Sequence, residues 1–222
     1  MAVIGKLALQ HGGYFKLDNA LISALEWLSK RVVLAVPRSI GLPDTRKPIL
    51  LFVDGACEGS PDDPRFATIG GVLLDYETSN FRYFGAVVPK TVSDDWTSLG
   101  KLQVISQTEM YAAVLARCMW RRLFCNRMTI MFIDNDGVRE NLVKGYSEAV
   151  QNLPMLMRFA ECDLSFPSQF WFTRVQTHAN LADGPSRDFF DDVRSIKGMV
   201  GEQADHSCLN LVDNDISALA LR

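Results

Sequence analysis

Apolar and polar positions along the chain change their rhythm three times. Between Leu17 and Val36, the residues Leu21, Ala24, Leu25, Leu28 and Val32 recur at helical spacing and predict an amphipathic helix. Its stripe calls for a partner surface. Pro37, Pro43 and Pro48 then interrupt regular structure and mark a linker. Next, Ile49–Val53 is an apolar run of strand length, followed by a loop rich in Gly, Pro and Asp from Glu58 to Pro64. Phe66–Tyr76 and Asn80–Val88 predict two further strands joined by a tight turn near Glu77–Ser79, so the first three strands form an antiparallel meander. After a connection from Pro89 to Ile105, the pattern predicts a long helix over Gln107–Phe124 and a strand over Met128–Ile133. Helices over Asp136–Tyr146 and Glu148–Ala160, a last strand over Phe170–Val175 and a short helix from about Pro185 complete the body. Beyond Asp192 the periodicity is lost, and residues 195–214 read as tail with one weak helix near the end.

An antiparallel start and an alternating end predict an α/β fold with a mixed sheet and helices packed on its faces. The organisation is a helix and Pro-rich linker over residues 1–48, a folded domain over 49–190, and a C-terminal tail over 191–222.

Charge and composition narrow the classes. The 222 residues carry a formal charge of −3 and are 48% hydrophobic, enough to bury a core without disulfide staples. The charge is divided as +4 over residues 1–48 (7 basic, 3 acidic), −4 over 49–190 (13 and 17) and −3 over 191–222 (3 and 6). Such a balance argues against a protein that coats nucleic acid by bulk charge, but not against a nuclease with an acidic metal site. No apolar run approaches the about 18 residues of a membrane helix, and Met1–Lys6 lacks a secretory pattern. Five cysteines without a Cys-x-x-Cys pair predict reduced thiols in an intracellular protein of the cytoplasm or nucleus.

Four acids stand at the ends of elements. Asp54 and Asp134 each close an apolar run, and two central strands ending this way put both carboxylates on one rim of the sheet, where open α/β sheets bind ligands. Glu109 lies in the first turn of the long helix and begins the face formed by Ala112, Ala113, Ala116, Trp120 and Leu123. A glutamate there is costly unless paired, hydrogen-bonded or metal-bound. Asp183 opens the last helix. Each also has a purely local reading: Asp54-Gly55 as a turn, Ser106 with Glu109 as a capping box, Asp183 before Gly184-Pro185 as an N-cap, and Asn135 or Asp136 as a cap of the next helix. Their joint order with the intervening strands and helix is the stronger signal.

That order resembles the ribonuclease H domain of retrotransposon (LTR or DIRS-like) reverse transcriptases. The resemblance runs through Phe52-Val53-Asp54-Gly55-Ala56-Cys57, the glycine pair in Ile69-Gly70-Gly71-Val72, the stretch Ser106 to Val114 around Glu109, and Ile133-Asp134-Asn135. Its last motif is Asn180-Leu181-Ala182-Asp183-Gly184-Pro185-Ser186-Arg187, similar to the family's Asn-x-x-Ala-Asp-x-x-Ser-Arg. It covers Ile49 to Phe190, and the Leu21–Pro37 helix with Pro37-Arg38 resembles the segment that links polymerase to ribonuclease H in such elements.

The resemblance implies a mixed five-stranded sheet with helices on both faces and a two-metal endonuclease acting on the RNA strand of RNA–DNA hybrids. Two Mg²⁺ ions (alternatively Mn²⁺) about 4 Å apart would sit among carboxylates. Asp54 would bridge both ions, Glu109 and Asp134 would face the leaving-group ion, and Asp183 would hold the ion that activates water. His178, in a loop shorter than the family's, would help proton transfer or product release; a surface histidine is the other reading. Asp136 reads better as a first-turn acid than as a ligand. Lys101, Arg117, Arg121, Arg122, Arg127 and Arg139 are the scattered cations open to a hybrid, with Lys101, Arg121 and Arg122 as the candidate backbone contacts beside Trp120, or merely a solvated helix face. The partners implied are the hybrid and an upstream polymerase domain in one polyprotein, with no membrane. The Glu58–Phe66 and Pro89–Ile105 connections are longer than the family pattern, and a basic protrusion is missing. Two alternatives follow: a ribonuclease H-like domain that no longer cuts, or another nuclease or recombinase on the same scaffold.

Overall fold

The computed structural model describes residues 45–97 and 104–209, together with residues 22, 25, 26, 28, 29, 32 and 33, which are helical. The remainder of the N-terminal helix expected over Leu17–Val36, and the end of the expected tail, lie outside the described residues. Residues 1–40 and 41–222 form separate units, and the following concerns the second.

Its centre is β1 (Ile49–Cys57), with Ile49, Leu51 and Val53 buried on one face and Phe52 on the other. Period-2 alternation thus turns a nearly continuous apolar run toward two cores. β2 (Ala67–Asp75) pairs antiparallel with β1, and β3 (Asn80–Val87) antiparallel with β2. On the other side of β1, β4 (Met128–Ile133) and β5 (Gln169–Arg174) run parallel to it. This is a mixed sheet of the kind that the resemblance implied. It is extended by one strand: β6 (Met199–Gly201), expected to be tail, pairs parallel with β3, so the order is β5-β4-β1-β2-β3-β6.

Helix α1 (Lys90–Thr97) fills the connection after β3, where no element was expected. Only Ser93 and Trp96 of its eight residues are buried, so no apolar run marks it in the sequence. Helix α2 (Ile105–Met119) crosses one face of the sheet and is followed by the short α3 (Arg121–Phe124). Gln107 through Cys118 are all buried because sheet, α5 (Leu153–Ser165) and the C-terminal 3₁₀ turn His206–Leu209 surround the helix. Helix α4 (Asp136–Lys144) follows β4 and ends on Gly145 at φ 61°, a left-handed cap that glycine adopts without strain. On the opposite face, α6 (Asp183–Ser186) and α7 (Asp191–Ser195) cover a second core of Phe52, Val72, Leu74, Tyr83, Ala182 and Val193.

Two cations expected on the surface are interior. Arg117 is fully buried, its guanidinium 5.2–5.9 Å from the ring centres of Phe124, Phe159 and Phe170 and donating to the Phe166 carbonyl at 2.7 Å. Aromatic faces and carbonyls replace water around it. Arg127 makes a buried pair with Asp75, at 3.1 and 3.2 Å, and donates to the Lys47 carbonyl. The same bonds hold the Asp75 carboxyl below its usual range, against the effect of its burial.

Candidate active site

Register sets the first two carboxylates. Phe52 and Phe132 are paired in the parallel β1–β4 ladder, with rings stacked at 4.4 Å. Asp54 lies two residues further along β1 and Asp134 directly follows β4, so both stand at the same end of the two neighbouring strands, beyond the aromatic pair. Adjacent strands are about 4.8 Å apart, which keeps the two acids within electrostatic reach of each other.

Glycines admit the other two. A Cβ on Gly55 would lie 2.7 Å from the Glu109 backbone nitrogen, so the missing side chain lets α2 press on β1 at Glu109, which is the fifth residue of the helix and not in its first turn as expected. On the opposite face, a Cβ on Gly70 would lie 2.5 Å from the Ser186 nitrogen and 2.6 Å from the Ala182 oxygen. One on Gly85, its cross-strand partner, would meet the Pro185 oxygen at 2.5 Å. These two openings seat α6 against β2 and β3, and with it Asp183. Asn180, buried just before, donates to the Val53 carbonyl at 3.0 Å and accepts from the Ala182 nitrogen, tying the approach to β1.

Each carboxylate has its own donor. Ser186 Oγ lies 2.5 Å from Asp54 Oδ2 and 2.8 Å from the Asp183 carbonyl; its single proton serves the shorter, charged acceptor. Asn135 Nδ2 donates to Glu109 Oε1 at 3.2 Å, while its Oδ1 caps α4 by accepting from Gly137 and Val138 nitrogens. Thr177 Oγ1 donates to Asp134 Oδ2 at 3.0 Å. Arg187 Nε donates to Asp183 Oδ1 at 3.3 Å and also pairs with Glu58. Ser186, Asn135, Thr177 and Arg187 had no assigned site role in the sequence; a hydrogen bond to a distant carboxylate leaves no periodic trace.

The local readings of the acids give way. Helix α2 begins at Ile105 without a side-chain cap, so Glu109 is not the second half of a capping box. Asp183 is the first residue of α6 and does not cap it by its side chain. Asp136 is bound to Arg139 and Arg174, each at 3.1 Å, and is a first-turn acid of α4.

Burial and like charge act together here. Asp54, only 4% exposed, is pushed up to about 7 by burial, with Asp134 and Asp183 adding repulsion and the Ser186 bond opposing it. Glu109 is pushed up to about 8 by burial, opposed by Asn135, with Asp134 and Asp54 repelling it. Glu109 Oε2 is buried with no hydrogen-bond partner. A buried, unpaired carboxylate oxygen among other acids is a position a hard cation would relieve. Even so, among the described residues no three His, Cys, Asp or Glu side chains stand ready to hold one ion together.

The remaining candidates lie elsewhere. His178 is exposed in the 3₁₀ turn Thr177–Ala179, next to the Thr177 that binds Asp134. Arg121 packs on the Phe166 ring and Arg122 is exposed. Both follow the far end of α2, beyond roughly 15 Å of helix counted from Glu109 to Met119. Trp120 is buried, with its indole nitrogen donating to Glu202 at 2.7 Å, so it offers no stacking face to a nucleic acid. Lys101 lies outside the described residues. None of the described helices is long and apolar enough to cross a membrane.

The chain is similar to several solved ribonucleases H. Ribonuclease H1 of the archaeon Halobacterium salinarum matches at 19% identity and a TM-score of 0.48, covering 66% of this chain and 99% of that one. LC11 ribonuclease H1 in complex with an RNA/DNA hybrid matches at 16% and 0.48, over 66% and 99%. The foamy viral protease-reverse transcriptase in complex with an RNA/DNA hybrid matches at 13% and 0.47, over 86% of this chain and 28% of that one. No family model matches the chain, and neither does any curated protein.

Proposed function

We propose that this chain is a ribonuclease H-type endonuclease that hydrolyses the RNA strand of RNA–DNA hybrids with two divalent cations, Mg²⁺ or Mn²⁺, within a retroelement reverse transcriptase. The observation that carries the reading is that Asp134 and Asp183 act on the buried Asp54, and Asp134 and Asp54 on the buried Glu109. The donor set is all hard oxygen, and Glu109 brings a free buried oxygen to it. That composition fits Mg²⁺.

When bound, such ions lower the pKa of the attacking water and neutralise charge developing on the phosphate. Asp54, facing both Asp134 and Asp183, would contribute to both ions; Glu109 and Asp134 would hold one and Asp183 the other. What the protein itself does is hold these acids in place. Ser186 and Asn135 fix the rotamers of Asp54 and Glu109, and Thr177 fixes Asp134. Asp54 and Glu109, partly protonated near neutral pH, would release protons on cation binding. His178 stands beside this rim as an exposed proton carrier. The substrate class rests on the resemblance carried by Asn180 to Arg187, and hybrid recognition would use 2′-hydroxyl and backbone contacts. Arg122, exposed, is the better placed of the two α3 arginines for a phosphate. The polymerase partner belongs to the same proposal.

A second reading has a specific observation behind it. Arg187 occupies Asp183, and no ready-made set of three ligands stands among the described residues. A domain that keeps the fold and no longer cuts would look like this. The two are separated by incubating the protein with labelled RNA–DNA hybrid and single-stranded RNA, in Mg²⁺ or EDTA. The endonuclease cuts only the hybrid's RNA strand and only with metal, and Asp134→Asn abolishes cutting while the circular dichroism spectrum is kept. A folded wild-type protein that leaves the hybrid intact in Mg²⁺ and Mn²⁺ is the non-cutting domain.

A further inference from the structure

The loop between β1 and β2 is tied to the end of α6 from both of its sides. Glu58 directly follows β1, and its backbone nitrogen donates to the Phe66 carbonyl at 3.0 Å, which closes the base of the loop. The Glu58 carboxylate pairs with Arg187, the residue after α6. Arg65, at the other side of the loop, pairs with Asp188. Two neighbouring residues beyond α6 are thus clasped by the two ends of one loop, and Glu58 is held at the rigid end of β1 and not at the loop's tip.

The Arg187 guanidinium has a second acceptor. Its Nε donates to Asp183 Oδ1 at 3.3 Å, longer than the usual hydrogen bond between charged groups, while its Nη1 donates to Glu58. The side chains of Arg187, Glu58 and Asp183 are 39%, 69% and 35% exposed, so water screens both pairs and neither holds the guanidinium firmly. Burial raises the Asp54 carboxyl, and the Arg187 charge is among the groups that oppose it, so this cation acts on more of the cluster than its direct partner. A guanidinium is not deprotonated in a protein. Protons therefore cannot clear Arg187 from Asp183; it has to turn away, and Glu58 is the acceptor already in its hand.

We propose that Glu58 is a positioning residue of the cation site, the alternative partner that draws Arg187 off Asp183 when a divalent cation enters among the carboxylates. This inference rests on the reading of Asp183 as a cation ligand. With Glu58 present, the guanidinium gives up one carboxylate and keeps another. Without Glu58 it is left with Asp183, and a cation has to displace it into water. The loop after β1 then sets how tightly the Asp183 side of the cluster binds metal, although no atom of the loop need touch the ion.

The test titrates Mn²⁺ into the metal-free full chain and reads the free ion by electron paramagnetic resonance, with Asp183→Asn marking the ion that depends on Asp183. Glu58→Gln and Glu58→Ala are each expected to weaken that ion about threefold, and Arg187→Gln to tighten it by about the same factor, the scale of an exposed ion pair. The double variant Glu58→Gln with Arg187→Gln should match Arg187→Gln alone, because Glu58 acts through the guanidinium. Unchanged affinity in both Glu58 variants, an Arg187→Gln protein that binds no tighter, a double variant as much weaker than Arg187→Gln as Glu58→Gln is than wild type, or a wild type without an Asp183-dependent ion would each overturn the proposal. Hybrid cleavage is assayed separately. A chain that shows the expected pattern of Mn²⁺ affinities yet leaves the hybrid intact removes the nuclease reading and keeps this one.

Discussion

Ser186 Oγ stands 2.5 Å from Asp54 Oδ2, across 132 positions of sequence. That bond joins the centre of the sheet to a helix of only four residues on its outer face. Helix α6 is too short to be stable alone. It persists because Gly70 and Gly85 let it sit directly on β2 and β3, and because Asn180 anchors its approach to the Val53 carbonyl. Placement of Asp183 and orientation of Asp54 are thus one structural event.

Removing the hydroxyl separates orientation from charge. Ser186→Ala leaves Asp54 buried without its donor, and a hydrogen bond to the charged form is what opposes the burial effect. The Asp54 pKa rises further. Hybrid cleavage at pH 7 falls about tenfold, equivalent to ~1.4 kcal/mol, and the acidic limb of its pH–rate profile moves to higher pH. A profile that merely drops without moving would mean that Ser186 supports the fold and not Asp54.

Glu109→Gln tests the cost of the buried acid. The amide keeps the shape, carries no charge to repel Asp54 and Asp134, and presents its own donor. The metal-free variant is therefore more stable than wild type at pH 8, by on the order of 1 kcal/mol or more in urea unfolding, while hydrolysis is lost. A less stable variant at pH 8 would show that Glu109 is already compensated in the metal-free protein.

How much of this was legible in the chain follows from where each signal resides. The strands β1–β5 announce themselves as apolar runs, and Asp54 and Asp134 were read as rim residues because each ends such a run. Glu109 was read from its position on an apolar helix face. By contrast, β6 has three residues, two of them exposed, and no period to detect. Arg117 looked like any surface cation, because the rings that enclose it come from α3, α5 and β5, which only the fold assembles. The donors to the four acids were equally silent: Ser186 and Arg187 stood inside a quoted motif, but their targets are set by how α6 docks.

The raised carboxyls predict an unusual pH dependence. Asp54 and Glu109 titrate near 7 and 8 in the folded chain, against about 4 unfolded. Between these values the native state binds more protons than the unfolded state, so stability falls as pH rises from about 4 to 8 and levels off above. Thermal unfolding without metal should show a midpoint that declines over this window. Mg²⁺ should restore it at pH 8 and have little effect at pH 5, where protons hold the sites. A midpoint that rises with pH, or that responds to Mg²⁺ equally at both values, would contradict this account of the carboxylate cluster.

Gly70→Ala probes the close approach that seats α6. Its new methyl would lie 2.5 Å from the Ser186 nitrogen and 2.6 Å from the Ala182 oxygen, both backbone atoms that cannot rotate away. Either β2 or α6 must shift. The overpacking costs roughly 1–3 kcal/mol in urea unfolding. Because α6 carries both Asp183 and the donor to Asp54, cleavage falls by more than the loss of folded protein explains. Gly59→Ala is the control: it sits at φ 82° in the loop after β1, and a Cβ there meets only the Asp63 carboxylate, at 3.8 Å. It brings backbone strain of the same sign without touching α6. Equal loss of specific activity in the two folded variants would remove α6 docking as the cause.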